Sequence, residues 1–192
     1  PTDLTAEEIL IRSGNIGSII NAIEHLEHIP IVLDKPNKNE SYSHIILPGV
    51  GNFGKLSKNL VDTGFKEFLD HNKSKGNYIF GICVGMQMFA DYGEEDGGSE
   101  GLGWIGGTVK KMVIPPRIKE IEKKYIYNEK QEEIVVEKEN YDFENFYRLP
   151  HIGWNQVTLH LCQEPTAEKF INRLDQNPHF YFVHSYIFHL KD

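Results

Sequence analysis

Short apolar runs alternate along the chain with stretches in which apolar residues recur every three or four positions. Glu8 to Arg12 carries an Ile-Leu-Ile run of strand length. Ser13-Gly14-Asn15 turns the chain, and Ile16, Ile19, Ile20, Ile23 and Leu26 then fall at helical spacing. Pro30-Ile31-Val32-Leu33 and His44-Ile45-Ile46-Leu47 are two further buried-strand runs. The polar loop Asp34 to Ser43 separates them, and Pro48-Gly49 ends the second. Leu56, Leu60, Phe65, Phe68 and Leu69 predict helical turns interrupted near Gly64. Tyr78-Ile79-Phe80-Gly81-Ile82 predicts a strand that feeds directly into a helix over Met86 to Tyr92. Strands alternating with helices predict an α/β fold with a doubly wound, flavodoxin-like, mostly parallel sheet.

Beyond Gly93 the texture changes. A Gly-rich acidic loop, Glu94 to Gly103, leads to Trp104 to Met112, and a highly charged tract follows from Ile118 to Asn145. Tyr125 to Tyr127 and Ile134 to Val136 flank Asn128 to Glu133 as the arms of a candidate hairpin. The charge density marks 115–148 as an insertion within one domain spanning 1–192. Tyr147 to His160 reads as extended, Thr166 to Leu174 as a helix with Thr166 at its N-cap, and His179 to Phe188 as one long aromatic strand.

Composition narrows the function. The 192 residues are 40% hydrophobic, enough for one core. With 28 acidic against 20 basic residues the net charge is -8, which disfavours nucleic acid and anionic membrane as partners. Two cysteines, Cys83 and Cys162, make no disulfide framework, and no leader or membrane span is visible, so a cytoplasmic location is expected. No grouping of His, Cys and carboxylates has metal-ligand spacing, and neither metal nor cofactor is expected.

Gly81-Ile82-Cys83-Val84-Gly85 lies where a strand meets a helix and matches the nucleophile elbow, in which small residues flank a side chain held on a sharp turn. A thiol at a helix N-terminus is favoured as thiolate, which suits acyl transfer. Pro48-Gly49-Val50-Gly51-Asn52-Phe53 follows another strand, so it belongs to the same carboxyl edge of the sheet. Its glycines free backbone N–H groups for an oxyanion.

These residues and four further motifs stand in one order: Gly14-Asn15-Ile16-Gly17-Ser18, Gly101-Leu102-Gly103, Pro150-His151-Ile152-Gly153-Trp154-Asn155 and Tyr181-Phe182-Val183-His184-Ser185-Tyr186. Together the set resembles the class I, triad-type glutamine amidotransferases, and within them the glutaminase subunits of imidazole glycerol phosphate synthase. The resemblance implies hydrolysis of glutamine through a thioester on Cys83, with backbone at Val50 or Gly51 and at Val84 forming the oxyanion hole. It implies glutamine binding by Gln87, Glu95 and the backbone near Tyr181 and His184. It also implies that ammonia passes to a cyclase partner with a (β/α)8 barrel, which Asn15, His151 and Trp154 face.

One part of the pattern is not met. The family's general base belongs to a His-x-Glu element after the strand corresponding to Tyr181 to Phe188, and no His-x-Glu lies between there and Asp192. The expectation is a domain lacking its C-terminal end. The alternatives are a non-catalytic binding subunit that kept the fold, or a paralogue feeding ammonia to a sugar-modifying synthase. Elbow families of the deglycase or peptidase type commonly place His directly after the Cys, where this chain has Val84.

Overall fold

The computed structural model describes residues 8–11, 16–37, 40–113, 117–127, 133–142, 149–158, 169 and 171–191. The chain divides into two compact units, Pro1–Lys111 with Tyr186–Asp192, and Met112–Ser185.

The first unit is built on a four-stranded parallel sheet of β1 (Glu8–Ile11), β2 (Pro30–Leu33), β3 (His44–Gly49) and β4 (Tyr78–Cys83), in the order β2-β1-β3-β4. All three pairings are parallel, so each connection must cross over. Helix α1 (Gly17–His25) supplies the first crossover. The third is made by α2 (Phe53–Thr63) and α3 (Phe65–Ser74). Gly64 separates these two helices at φ 79, a left-handed conformation that costs glycine little and ends α2 as the sequence anticipates. Ile45 and Leu47 of β3 pack against Phe53, Leu56 and Leu60 of α2 and Phe65, Phe68 and Leu69 of α3 in one buried cluster.

Asn72 is the polar member of this core. Its Oδ1 accepts from the Tyr42 backbone N–H at 2.9 Å and from Asn77 Nδ2 at 2.9 Å. Its Nδ2 donates to the Phe68 carbonyl at 2.9 Å and the Glu40 carbonyl at 3.3 Å. The side chain therefore closes the backbone gaps around the loop before β3.

A second sheet in the same unit joins β5 (Tyr92–Gly93), β6 (Ser99–Glu100), β7 (Gly107–Lys111) and β12 (Tyr186–Leu190) in the order β12-β7-β5-β6. The helix expected over Met86 to Tyr92 is instead α4, a single turn over Val84–Gln87. It stops because its following carbonyls are captured from outside. Leu102 N–H donates to the Met88 carbonyl at 2.7 Å, Gly103 N–H to that of Ala90 at 3.0 Å, and Trp104 N–H to that of Phe89 at 2.9 Å.

In the second unit, β8 (Arg117–Tyr127) and β9 (Glu133–Asp142) pair antiparallel, so the anticipated hairpin exists and is longer than its apolar arms suggest. Two more strands, β10 (His151–Gln156) and β11 (His179–His184), form an antiparallel pair. The long strand expected over His179 to Phe188 is broken at Ser185. Its first half pairs with β10, whereas its second half is β12 of the other unit. The proposed N-cap Thr166 lies outside the described residues.

Candidate active site at the carboxyl ends of the third and fourth strands

Register places the ends of β3 and β4 side by side, with Gly49 opposite Cys83. Cys83 is the hinge between β4 and α4. Its backbone has φ 56 and ψ -121, one of three positive-φ non-glycine residues among those described. A side chain in that region costs about 1–3 kcal/mol and is kept where the surrounding structure imposes it.

The neighbouring glycines show what imposes it. A Cβ at Gly85 would lie 1.9 Å from the Leu47 carbonyl oxygen, one at Gly81 would lie 2.5 Å from Met86 Cα, and one at Gly49 would lie 2.5 Å from Gly85 N. The elbow is thus pressed against β3 with no room for side chains on either flank, and the thiol is turned outward. Cys83 is exposed and free. Among the described residues its thiol has no hydrogen-bonding partner.

Beside it, the loop after β3 is open. Val50 is 63% exposed, and Gly51 has φ 96 with nothing within 4 Å of where a Cβ would stand. Only a residue without a Cβ holds such a φ at low cost, so the peptides at 50–51 are presented rather than packed. Val84 is the opposite case: its side chain is 6% exposed, and it is its backbone that borders the thiol. Asn52 then caps α2, its Oδ1 accepting from Lys55 N–H at 2.9 Å, and Phe53 is fully buried.

Gln87 is half-buried and donates Nε2–H to the Tyr186 carbonyl at 3.2 Å, which ties α4 to the first residue of β12. Glu95 lies on the acidic turn Glu95–Gly97 and accepts, through Oε2, the Phe53 backbone N–H at 2.8 Å. Burial raises the Tyr186 hydroxyl above the ordinary tyrosine range, and the carboxylates of Glu95 and Asp96 push the same way. Gln87, Glu95 and Tyr186 all belong to the unit that holds Cys83. Asn52 and Tyr186 stand inside sequence motifs without an individual role there, and Asp96 stands in none of the motifs.

The other anticipated site residues stand in the second unit. On β10 and β11, His151 is opposite His184 and Trp154 opposite Tyr181. The His151 and His184 rings meet edge to face at 5.4 Å, and the Trp154 and Tyr181 rings lie 5.5 Å apart. Ile152, Trp154, Tyr181 and Val183 are all exposed on this pair. Asn15 lies outside the described residues. Among the described residues, no group of His, Cys, Asp and Glu has an arrangement that could hold a metal ion, and no helix is long and apolar enough to cross a membrane.

Comparison with known proteins gives a consistent set of relatives. The chain is 32% identical over 182 residues to imidazole glycerol phosphate synthase subunit HisH 1 of Campylobacter jejuni strain 81-176, covering 94% of this chain and 74% of the relative. It is 33% identical over 186 residues to subunit HisH of Pelagibacter ubique, covering 92% of this chain and 72% of the relative. The chain belongs to the HisH family. The HisH of Leptospira interrogans is 33% identical over 175 residues, 90% of this chain and 70% of that one. No family model matches the chain. A solved glutamine amidotransferase aligns at TM-score 0.47 and 16% identity over 67% of this chain and 69% of that one. The identities to the HisH relatives bear out the family resemblance carried by the sequence motifs, and within this HisH-family chain the elbow, the open glycine loop and the acidic turn share one unit.

Proposed function

We propose that this HisH-family chain is a glutaminase, in which Cys83 attacks the side-chain amide of glutamine and the ammonia released serves a synthase partner. The observation that carries the reading is the strained, outward-facing Cys83 at the end of β4, with the open peptides of Val50 and Gly51 on the adjoining strand end.

The thiolate sulfur bonds to the amide carbon while the carbonyl π pair moves to oxygen. Backbone N–H groups of Val50 or Gly51 and of Val84 receive that oxyanion. Collapse restores the carbonyl and breaks the carbon–nitrogen bond while the leaving nitrogen takes a proton from water, so that ammonia departs, hydroxide is left and a γ-glutamyl thioester stays on Cys83. Water then attacks the thioester and glutamate leaves. Gln87 and Glu95 are the glutamine-binding side chains, the carboxylate of Glu95 matching the substrate's ammonium group. The resemblance gives Asn15, His151 and Trp154 to a (β/α)8 cyclase partner, and the exposure of Trp154 with Ile152 on β10 supports that reading.

A second reading, a binding subunit without turnover, is favoured by one observation: among the described residues no imidazole or carboxylate hydrogen-bonds the Cys83 thiol. A glutamine-mimicking halomethyl ketone separates the two. Labelling confined to the Cys83 peptide and blocked by excess glutamine supports the glutaminase. Labelling that glutamine does not slow supports the binding subunit.

A further inference from the structure

The loop that offers its peptides to the oxyanion is anchored from a distance. Val50 and Gly51 have almost nothing packed on them, yet the next two residues each hydrogen-bond the acidic turn more than forty positions later. Phe53 N–H donates to Glu95 Oε2 at 2.8 Å, and Asn52 Nδ2 donates to Asp96 Oδ2 at 2.8 Å. The turn is itself closely held. Asp96 has φ 51 and ψ 42, Gly97 and Gly98 follow at φ 89 and φ 92, and a Cβ at Gly98 would lie 1.6 Å from the Tyr92 hydroxyl. Asp96 is therefore presented by a backbone with little freedom to turn elsewhere.

We propose that Asn52 and Asp96 are positioning residues for the glutaminase reaction, a latch that fixes the oxyanion loop against the turn bearing Glu95, the carboxylate assigned to the substrate's ammonium group. The inference rests on the reading of Cys83 as the nucleophile of a glutaminase. Oxyanion donors contribute when they are already aimed at the position the oxyanion will take, so a loop left loose at 50–51 forfeits stabilisation of the transition state more than of bound glutamine. Asn52 suits both tasks: Oδ1 caps α2 and Nδ2 reaches Asp96.

That division of labour supplies the test. Asn52→Asp keeps an acceptor for the Lys55 N–H, and Asp caps helices as well as Asn does, but it turns a carboxylate toward that of Asp96. Combining it with Asp96→Asn returns a donor from the opposite side. In the complex with the synthase partner, Asn52→Asp is expected to lower kcat for glutamine hydrolysis about tenfold with KM within about twofold, as for loss of a hydrogen bond to a charged group. The double variant is expected to recover most of the loss. Amide hydrogen exchange, measured alongside, is expected to quicken several-fold at 50–53 in Asn52→Asp, to stay unchanged at 56–63, and to return in the double variant. Wild-type kcat and exchange in Asn52→Asp, or a loss that the double variant does not repair, overturns the latch. A wild-type complex that releases no ammonia overturns the glutaminase reading instead, and the exchange comparison still decides the latch on its own.

Discussion

Gly85→Ala tests whether the elbow is held by close approach of backbones. Gly85 has no positive φ, so its need for glycine is one of space alone. The added Cβ would stand 1.9 Å from the Leu47 carbonyl oxygen, 2.8 Å from its carbon and 3.1 Å from the Pro48 carbonyl carbon. All three atoms belong to the backbone of β3, which is paired on both sides, with β1 and with β4. No side chain can rotate away, and moving β3 breaks ladder hydrogen bonds. Overpacking a core commonly costs about 1–3 kcal/mol, and a clash with a doubly paired strand belongs at the top of that range, about 3 kcal/mol. For a chain of 150–250 residues that corresponds to a fall in Tm of roughly 6–12 °C. Thermal unfolding followed by circular dichroism measures it. Gly76→Ala is the control: its φ is 79 with nothing within 4 Å, so it carries only conformational strain, about 1–2 kcal/mol. If Gly85→Ala melts with the wild type, or no lower than Gly76→Ala, the close-approach argument is refuted.

Three further outcomes are expected. Cys83→Gly, which relieves a strained φ of 56, should raise Tm by about 2–4 °C while removing the nucleophile, and a lower Tm contradicts strain at the elbow. Asn72→Leu leaves the Tyr42 N–H and two carbonyls without their partner in the core and should cost about 2–4 kcal/mol by urea denaturation; a loss under about 1 kcal/mol shows the network to be dispensable. The Asp91 carboxyl is held below its ordinary range first by the hydrogen bond from Lys191 and then by the Gly107 N–H. Its ionised form therefore stabilises the fold above about pH 3.9, and the contribution is lost as pH falls through the lower folded value. The gap in urea midpoint between wild type and Asp91→Asn should be widest near neutral pH and close on acidification, and a gap that widens in acid contradicts the assignment.

What the sequence discloses is what short-range patterns encode. The break at Gly64 and the elbow around Cys83 are legible because each follows from a local requirement, a left-handed residue in one case and flanks without side chains in the other. The alternation of strands and helices is legible for the same reason. The length of α4 is not, since Met86 to Tyr92 has acceptable helical spacing and is stopped by donors from residues 102–104. The division at Ser185 is equally hidden, because an aromatic run shows strand propensity on either side of a change of partner. Glu95 is named only by what the family resemblance implies, and its bond to Phe53 and the neighbouring bond from Asn52 to Asp96 join residues 42 and 44 positions apart and leave no periodic trace.

A covalent step on Cys83 is tested by mixing the synthase complex with isotopically labelled glutamine, quenching in acid and determining the mass of the Cys83 peptide. A γ-glutamyl adduct is expected on that peptide during turnover, absent from Cys83→Ser. Ammonia release with no adduct at Cys83, or undiminished release by Cys83→Ser, contradicts it.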